Sequence, residues 1–458
     1  MTSTRHRRAP ALLALVLTAA CALGGCGSPK AVSTVTVLGS WTGAEQSGFL
    51  AMIRGFEQKY GIRVDYTGTR DANAVLTSDL KDGSPPDLAV LARPGELDQY
   101  AKDGTLVPID AALSSPALDS EYGPGWRKLM KAPGRTGATH YFAIIVKAAL
   151  KSVIWYDPRQ LPARDVPLLT SRPLTWGQLT GLTASLAAAG TSPWCIGLQD
   201  SSSSGWPGTD WIEDILLHQS GPQAYDRWVA GTLPWTSEQV VRAWQAFGAI
   251  ADAPLQARGS TRAELLTSYG KAGQPMFASP PGCYLDHEGS FITAFYTQDP
   301  LGPPGSTTHP RPGTDFSFVP FPSLTAVGQD TEEVAGDLLG MFHDTPAARE
   351  LIAYLTTPQA QEAWIRRPDS GAISVNQMVP LSAYPDPVSR ALARNLTGVA
   401  DVRFDASDSM PQMMQNAFLA AVLEYVDAPS QLNGILCGLD EVRKAAYSLS
   451  GASAGCRQ

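Results

Sequence analysis

Apolar positions near the start of the chain switch period several times. Thr34 to Leu38 is a β-branched run, and after Gly39-Ser40-Trp41-Thr42-Gly43 the spacing becomes helical, with Phe49, Ile53, Phe56 and Tyr60 on one face. Gly61 is placed to stop that helix, and Ile62 to Tyr66 reads as the next strand. A third strand, Asp87 to Leu91, follows Ser84-Pro85-Pro86. This alternation of strand and helix predicts an α/β layer with a mainly parallel sheet. Ligands bind outside the carboxyl ends of strands in such sheets, which singles out the loops at Trp41 and Arg93.

Tyr141 to Tyr156 is again extended and apolar, with Lys147 and Lys151 as its only charges, and is suited to carry the backbone from one lobe into another. Thr175 is expected to cap a helix running through Leu186, Asp210-Trp211-Ile212-Glu213 has the capping-box pattern, and Thr236 to Gln239 opens a helix with Val240, Trp244 and Phe247 inward. Pro300 to Pro312 reads as a loop, and Phe316 to Phe321 and Val334 to Phe342 as strands. Thr345-Pro346 and Thr357-Pro358 each put a cap before a first-turn proline, and Met410 to Tyr425 and Leu439 to Tyr447 form a helical end. No internal repeat is visible.

The extreme N-terminus has a different character. Arg5, Arg7 and Arg8 precede an apolar run from Ala11 to Leu23 that is shorter than the roughly 20 residues of a membrane-spanning helix, so it reads as a removable leader. Leu23-Gly24-Gly25-Cys26 resembles the lipobox of bacterial lipoproteins, which implies cleavage after residue 25 and a lipid on Cys26. The alternative is an ordinary signal peptide with an incidental cysteine. Residues 26–33 suit a flexible tether. The expected location is the extracytoplasmic side of the cell membrane, with a soluble body.

An apolar fraction of 44% fits a packed globule and excludes a disordered chain, and the length allows two or more domains at roughly 150 residues each. The net charge is −8 and the basic residues are scattered singly, so nucleic acid is not an expected partner. Beyond Cys21 and Cys26, four cysteines remain, which in an oxidising compartment implies two disulfides. Of three possible pairings, Cys195 with Cys283 and Cys437 with Cys456 is favoured, the second because its loop is local. Neither these cysteines nor the six histidines show zinc spacing, and no phosphate-binding glycine loop with lysine is present, so no metal or cofactor is expected.

Several segments then stand in a familiar order. They are Phe56-Glu57-Gln58-Lys59-Tyr60-Gly61-Ile62-Arg63-Val64, Pro86-Asp87-Leu88-Ala89-Val90, and Tyr100 to Pro108. Val153-Ile154-Trp155-Tyr156-Asp157, Gly205-Trp206-Pro207-Gly208-Thr209-Asp210-Trp211 and Pro281-Gly282-Cys283-Tyr284 follow. In this order the chain resembles the family 1 extracellular solute-binding proteins, the receptors of bacterial sugar importers of the ABC type, and especially their alpha-glucoside- and maltose-binding branch. The resemblance implies a type II periplasmic-binding-protein-like α/β fold, with two lobes joined by crossing hinge strands around a ligand cleft. One lobe would comprise 34–147 and 334–389, the other 148–333 and 390–458. It further implies a monomeric, non-enzymatic receptor whose partners are a carbohydrate and the permease subunits of an ABC importer.

A sugar site needs aromatic platforms for C–H faces and carboxylate, amide or guanidinium partners for hydroxyls. Trp228, Trp244 and Trp364 share helical faces with other apolar residues and read as core, whereas Trp41 and Trp206 sit in glycine-rich turns and are candidates for the cleft. Glu45 and Arg93 follow the first and third strands, although a first-turn carboxylate and a solvated arginine are the plainer readings. Asp210 is either a hydroxyl ligand or the N-cap of its helix. Lys147 matches a polar contact on the inter-lobe strand of the relatives, where the maltose-binding branch usually has an acid. Tyr284 and Glu288 are candidates from the second lobe, whereas His287 reads as a surface histidine. Asp337, a lone acid inside an apolar strand, needs a partner, and Asp408 either contacts ligand or caps the next helix.

Two other functions remain open on the sequence. A lipid-anchored glycan hydrolase needs two carboxylates across a cleft, and acids are plentiful. The Gly451-Ala452-Ser453-Ala454-Gly455 string matches a nucleophile elbow only in letters, with no strand before it and no room for a helix after it. The other is a receptor of the same fold with a non-sugar ligand or a sensory role.

Overall fold

The computed structural model describes residues 33–113, 115–170, 174–251, 261–302, 306–325, 331–368, 370–398, 401–449 and 456. The leader, Cys26, the tether before Ser33 and the 451–455 string lie outside the described residues. Among the described residues no helix is long and apolar enough to cross a membrane.

The strands in chain order are β1 (Thr34–Gly39), β2 (Arg63–Gly68), β3 (Leu88–Leu91), β4 (Lys131–Pro133), β5 (Thr139–Tyr141) and β6 (Ala143–Leu150). They continue with β7 (Val153–Tyr156), β8 (Ser192–Cys195), β9 (Cys283–His287), β10 (Ser317–Pro320), β11 (Thr331–Met341) and β12 (Asp401–Phe404). Helix Gly43–Tyr60 joins β1 to β2, burying Phe49, Met52, Ile53 and Phe56 along its inner stripe. It stops where the sequence predicts. Gly61 takes the left-handed conformation at φ 66°, open to glycine without steric cost, and its N–H returns to the Glu57 carbonyl.

The first sheet has the order β12-β11-β3-β1-β2, with β6 also paired to β11. β1 is parallel to β2 and β3, while β11 runs antiparallel to β3 and β6 and parallel to β12. The second sheet has the order β10-β7-β9-β8. Only Lys151 and Ser152 separate β6 from β7, so the chain passes from one sheet to the other in two residues. A second connection lies alongside, because Glu333 in β11 accepts the Lys151 N–H through its main-chain oxygen at 2.8 Å.

The core forms two apolar clusters. Val35, Phe49, Leu88, Ile144 and Leu339 lie in the first, and Trp211, Trp228, Trp244 and Phe418 in the second. The second sheet contributes to both, with Val153, Trp155 and Phe318 in the first and Ile154, Leu285 and Val319 in the second. Trp228, Trp244 and Trp364 are fully buried, as their helical spacing predicts. Disulfides join Cys195 to Cys283, across the parallel pair β8 and β9, and Cys437 to Cys456.

The helix expected to begin at Asp210 instead spans Trp206–Ser220, so Asp210 lies inside it and is not its cap. The start is set by Gly205, at φ 105°, where a Cβ would lie 2.4 Å from the Leu419 carbonyl oxygen, and by Pro207 in the first turn. The Thr175, Thr345 and Thr357 caps form as predicted, each accepting a main-chain N–H three residues on.

Candidate functional site

The site is built where β6 lies against β11. Asp337 of β11 is opposite Lys147 of β6, and immediately beyond them the register shifts, so that Leu338 pairs with Ile145. Such an irregularity re-aims the side chains beside it. Both side chains face a cleft of about 170 Å³, whose lining also includes Lys151, Trp206, Phe291 and Asp408.

On the Lys147 side, the ammonium pairs with Glu45 and lies 3.3 Å from Asp337 Oδ2. Glu45 also accepts from Arg70 at 2.9 Å. Burial pushes the Glu45 carboxyl up, but the Lys147 and Arg70 charges outweigh it and hold its pKa below the usual range. Burial likewise works against the Lys147 charge, and Glu45 and Asp337 outweigh it, keeping the ammonium protonated. Trp41 donates its indole N–H to Asp337 Oδ2 at 2.8 Å.

On the Lys151 side, the ammonium lies 2.5 Å from Asp210 Oδ2 and 3.2 Å from Asp405 Oδ2. It stands 4.6 Å over the Trp206 ring, a cation–π contact. Trp206 is held in turn by its indole N–H, which donates to Asp200 Oδ2 at 2.9 Å, and by edge contacts with Tyr269 and Phe291. Asp408 accepts from Gln415 Nε2 at 2.8 Å. Burial, with Asp405 close by, raises its pKa well above the usual carboxylate range.

Of the residues singled out from sequence, Lys147, Trp206, Asp337 and Asp408 line the cleft. Trp41 and Glu45 stand behind its first face, and Asp210 stands behind Lys151. Trp41 is buried against Phe49 and the edge of Trp364, so the indole that sequence left in a loop is a core residue supporting Asp337. The Arg93 guanidinium is taken up by Glu96 and Gln415, and its neighbour Ala92 lines the cleft instead. Tyr284 packs on the second apolar cluster. Glu288 is buried, and its main-chain oxygen accepts the Trp155 indole N–H at 2.7 Å.

His287 is not at the surface. It is buried, with Nε2 at 2.8 Å from Asp214 Oδ2, because both faces of β9 are covered. Nor does Asp408 cap the following helix, since Asp405 accepts the Asp408 N–H at the head of Ala406–Ser409, and Pro411 precedes Gln412–Asp427. Lys151 and Phe291 are cleft residues that sequence reasoning passed over. For Lys151 the signal was available, as one of only two charges in an apolar extended run. Phe291 carries no such mark.

A cleft floored by β6 and β11 and lined by charged groups and aromatic rings suits a small polar solute. Residues 40–362 match the bacterial extracellular solute-binding protein family, and the chain belongs to it. It is therefore a receptor, not an enzyme. Among curated relatives, the Osmoprotective compounds-binding protein GgtB of Synechocystis sp. is 30% identical over 93% of this chain and 96% of its own length. The Alpha-glucosides-binding periplasmic protein AglE of Rhizobium meliloti is 31% identical over 87% of this chain and 84% of its own. The fold is shared with the solute receptor AcbH, at a TM-score of 0.76 and 16% identity, over 91% of this chain and 99% of that one. A chitin oligosaccharide binding protein superimposes with a TM-score of 0.75, at 16% identity and the same coverage.

Proposed function

We propose that this receptor binds a small neutral carbohydrate, an alpha-glucoside or related oligosaccharide, and delivers it to the permease subunits of an ABC importer. The observation that carries the reading is the juxtaposition of the Trp206 ring with Lys147, Asp337, Lys151 and Asp408 around one cleft. An aromatic face suits a sugar's C–H surface, and fixed charges suit its hydroxyls. Balance favours a neutral ligand. Lys147 and Arg70 are met by Glu45 and Asp337, and Lys151 by Asp210 and Asp405, so these cations at the cleft already have carboxylate partners and an acidic sugar would have to compete for them. The AglE relative, named for alpha-glucosides, supports the same class.

In this reading the two lobes are 34–147 with 334–389 and 148–333 with 390–458, hinged at the β6–β7 crossing. Ligand favours the closed form because only there do both lobes touch it. A lipid on Cys26 keeps the monomeric receptor beside its permease and raises the effective concentration of loaded protein there. Calorimetry with maltose, trehalose, sucrose, glucose, galactose and glucuronate tests the ligand class. Saturable binding of a neutral glucoside without product formation is expected, and silence across the panel or binding of glucuronate alone would overturn it. Labelled fatty acid incorporated by the wild type and not by Cys26→Ser tests the anchor.

A further inference from the structure

Behind Lys151 the carboxylates outnumber the cations that face them. Asp210, Glu213, Asp214, Glu333 and Asp405 are all buried. Most have partners. Lys151 reaches Asp210 and Asp405, Glu213 accepts the main-chain N–H groups of Ala406 and Ser407, and Asp214 is met by Ser152 and His287. Glu333 is different. It is fully buried, neither of its carboxylate oxygens has a hydrogen-bond partner, and Asp210 Oδ1 has none either. One oxygen from each of Asp210, Glu333 and Asp405 lies within 4.8 Å of the others.

An ionised carboxylate in such a place is strongly disfavoured without a counter-charge. Protonating Glu333 removes the charge, but in the observed arrangement neither its oxygens nor Asp210 Oδ1 has a hydrogen-bond partner. A single cation at the focus of the three groups answers all of it. Oxygens bound to Ca²⁺ at about 2.4 Å stand up to about 4.8 Å apart, and an all-oxygen donor set selects a hard ion over zinc or copper. Lys151 holds Asp210 and Asp405 through their Oδ2 atoms, and leaves Asp210 Oδ1 and both Glu333 oxygens without a partner.

We propose that Asp210, Glu333 and Asp405 form a calcium site at the back of the cleft. The ion ties helix Trp206–Ser220, the start of β11 and the turn after β12 together. It thereby fixes the two carboxylates that hold Lys151 over Trp206. The site does not depend on which solute the receptor binds.

The test uses the purified chain, stripped with EDTA and dialysed, without sugar. Calorimetry is expected to show one Ca²⁺ per chain with a dissociation constant of about 10⁻³ M or tighter. The melting temperature should rise by about 3 °C or more at saturating Ca²⁺, an increase that NaCl at equal ionic strength does not reproduce. Tb³⁺ bound there should luminesce on tryptophan excitation, because Trp206 borders Lys151. Glu333→Gln and, separately, Asp210→Asn should each weaken Ca²⁺ binding by about tenfold or more. Should either variant fold poorly, the wild-type titration decides. No saturable Ca²⁺ signal up to ~10 mM overturns the site, and so does uptake that both folded variants leave unchanged.

Discussion

Asp337 Oδ2 accepts the indole N–H of Trp41 at 2.8 Å while lying 3.3 Å from the Lys147 ammonium. A tryptophan sealed in the core thus aims an acid from a central strand into the cleft.

Asp337→Ala leaves the Trp41 N–H unpaired, and should cost about 1–3 kcal/mol of stability in thermal melts as well as at least about tenfold in sugar affinity. Asp337→Asn keeps an acceptor for Trp41, and is expected to stay within about 1 kcal/mol of wild-type stability yet still bind sugar more weakly. Unchanged affinity in both would remove Asp337 from the ligand.

Trp206 presents a ring to the cleft and anchors itself through Asp200. Trp206→Ala should therefore weaken sugar binding by at least about tenfold with little change in melting temperature, whereas Asp200→Asn should have a smaller effect on affinity. An early-melting Trp206→Ala protein with intact affinity would make the ring structural.

Two carboxyls should give stability opposite pH dependences. Burial pushes Asp286 up to about 7, against the hydrogen bond it accepts from Tyr296. Its folded form then keeps a proton that the unfolded chain has lost, so this contribution is full below the unfolded value of 3.8 and gone once pH has risen through about 7. The melting temperature should rise from pH 8 to pH 6, and Asp286→Asn should flatten that slope. Glu45 has a lowered pKa despite burial, through Lys147 and Arg70, so its contribution is present above 4.5 and fades as pH falls through the folded value. Glu45→Gln should cost about 3 kcal/mol at pH 7, with the difference closing in acid. A wild-type difference that persists undiminished at pH 3 would contradict the pairing.

The two disulfides should rank by the chain they constrain. Cys195–Cys283 spans 88 residues and Cys437–Cys456 spans 19, so losing the first should cost about 4–5 kcal/mol and the second about 3. Denaturant melts of Cys283→Ser and Cys456→Ser test the order, and equal or reversed losses would show that strain or local packing dominates.

The β1–helix–β2–β3 grammar was legible because each element satisfies its own local rule: branched residues in the strands, an apolar stripe in the helix, and glycine at the stop. The helix at Trp206 was misplaced by the same kind of rule. Asp210 and Glu213 mimic a capping box, yet both point inward, to Lys151 and to the N–H groups of Ala406 and Ser407. The correct start was written in Gly205 and Pro207. Asp337 stood out in sequence because an acid in an apolar strand demands a partner. The identity of that partner did not, since Trp41 lies 296 residues away and becomes its neighbour only when β11 enters the sheet. The burial of His287, Glu333 and Asp405 was hidden for a related reason. Their burial is decided by which distant segments cover them, not by their own neighbours in sequence.

β11 sits within the first sheet, paired to β3, β6 and β12, yet it is encoded late in the chain. The second sheet likewise waits for β10 to reach β7. A polypeptide threaded through a membrane from its N-terminus therefore cannot complete either sheet until most of it has crossed. The pairings of greatest sequence separation, β11 with β3 and β10 with β7, are therefore the slowest to form and the last to close the fold.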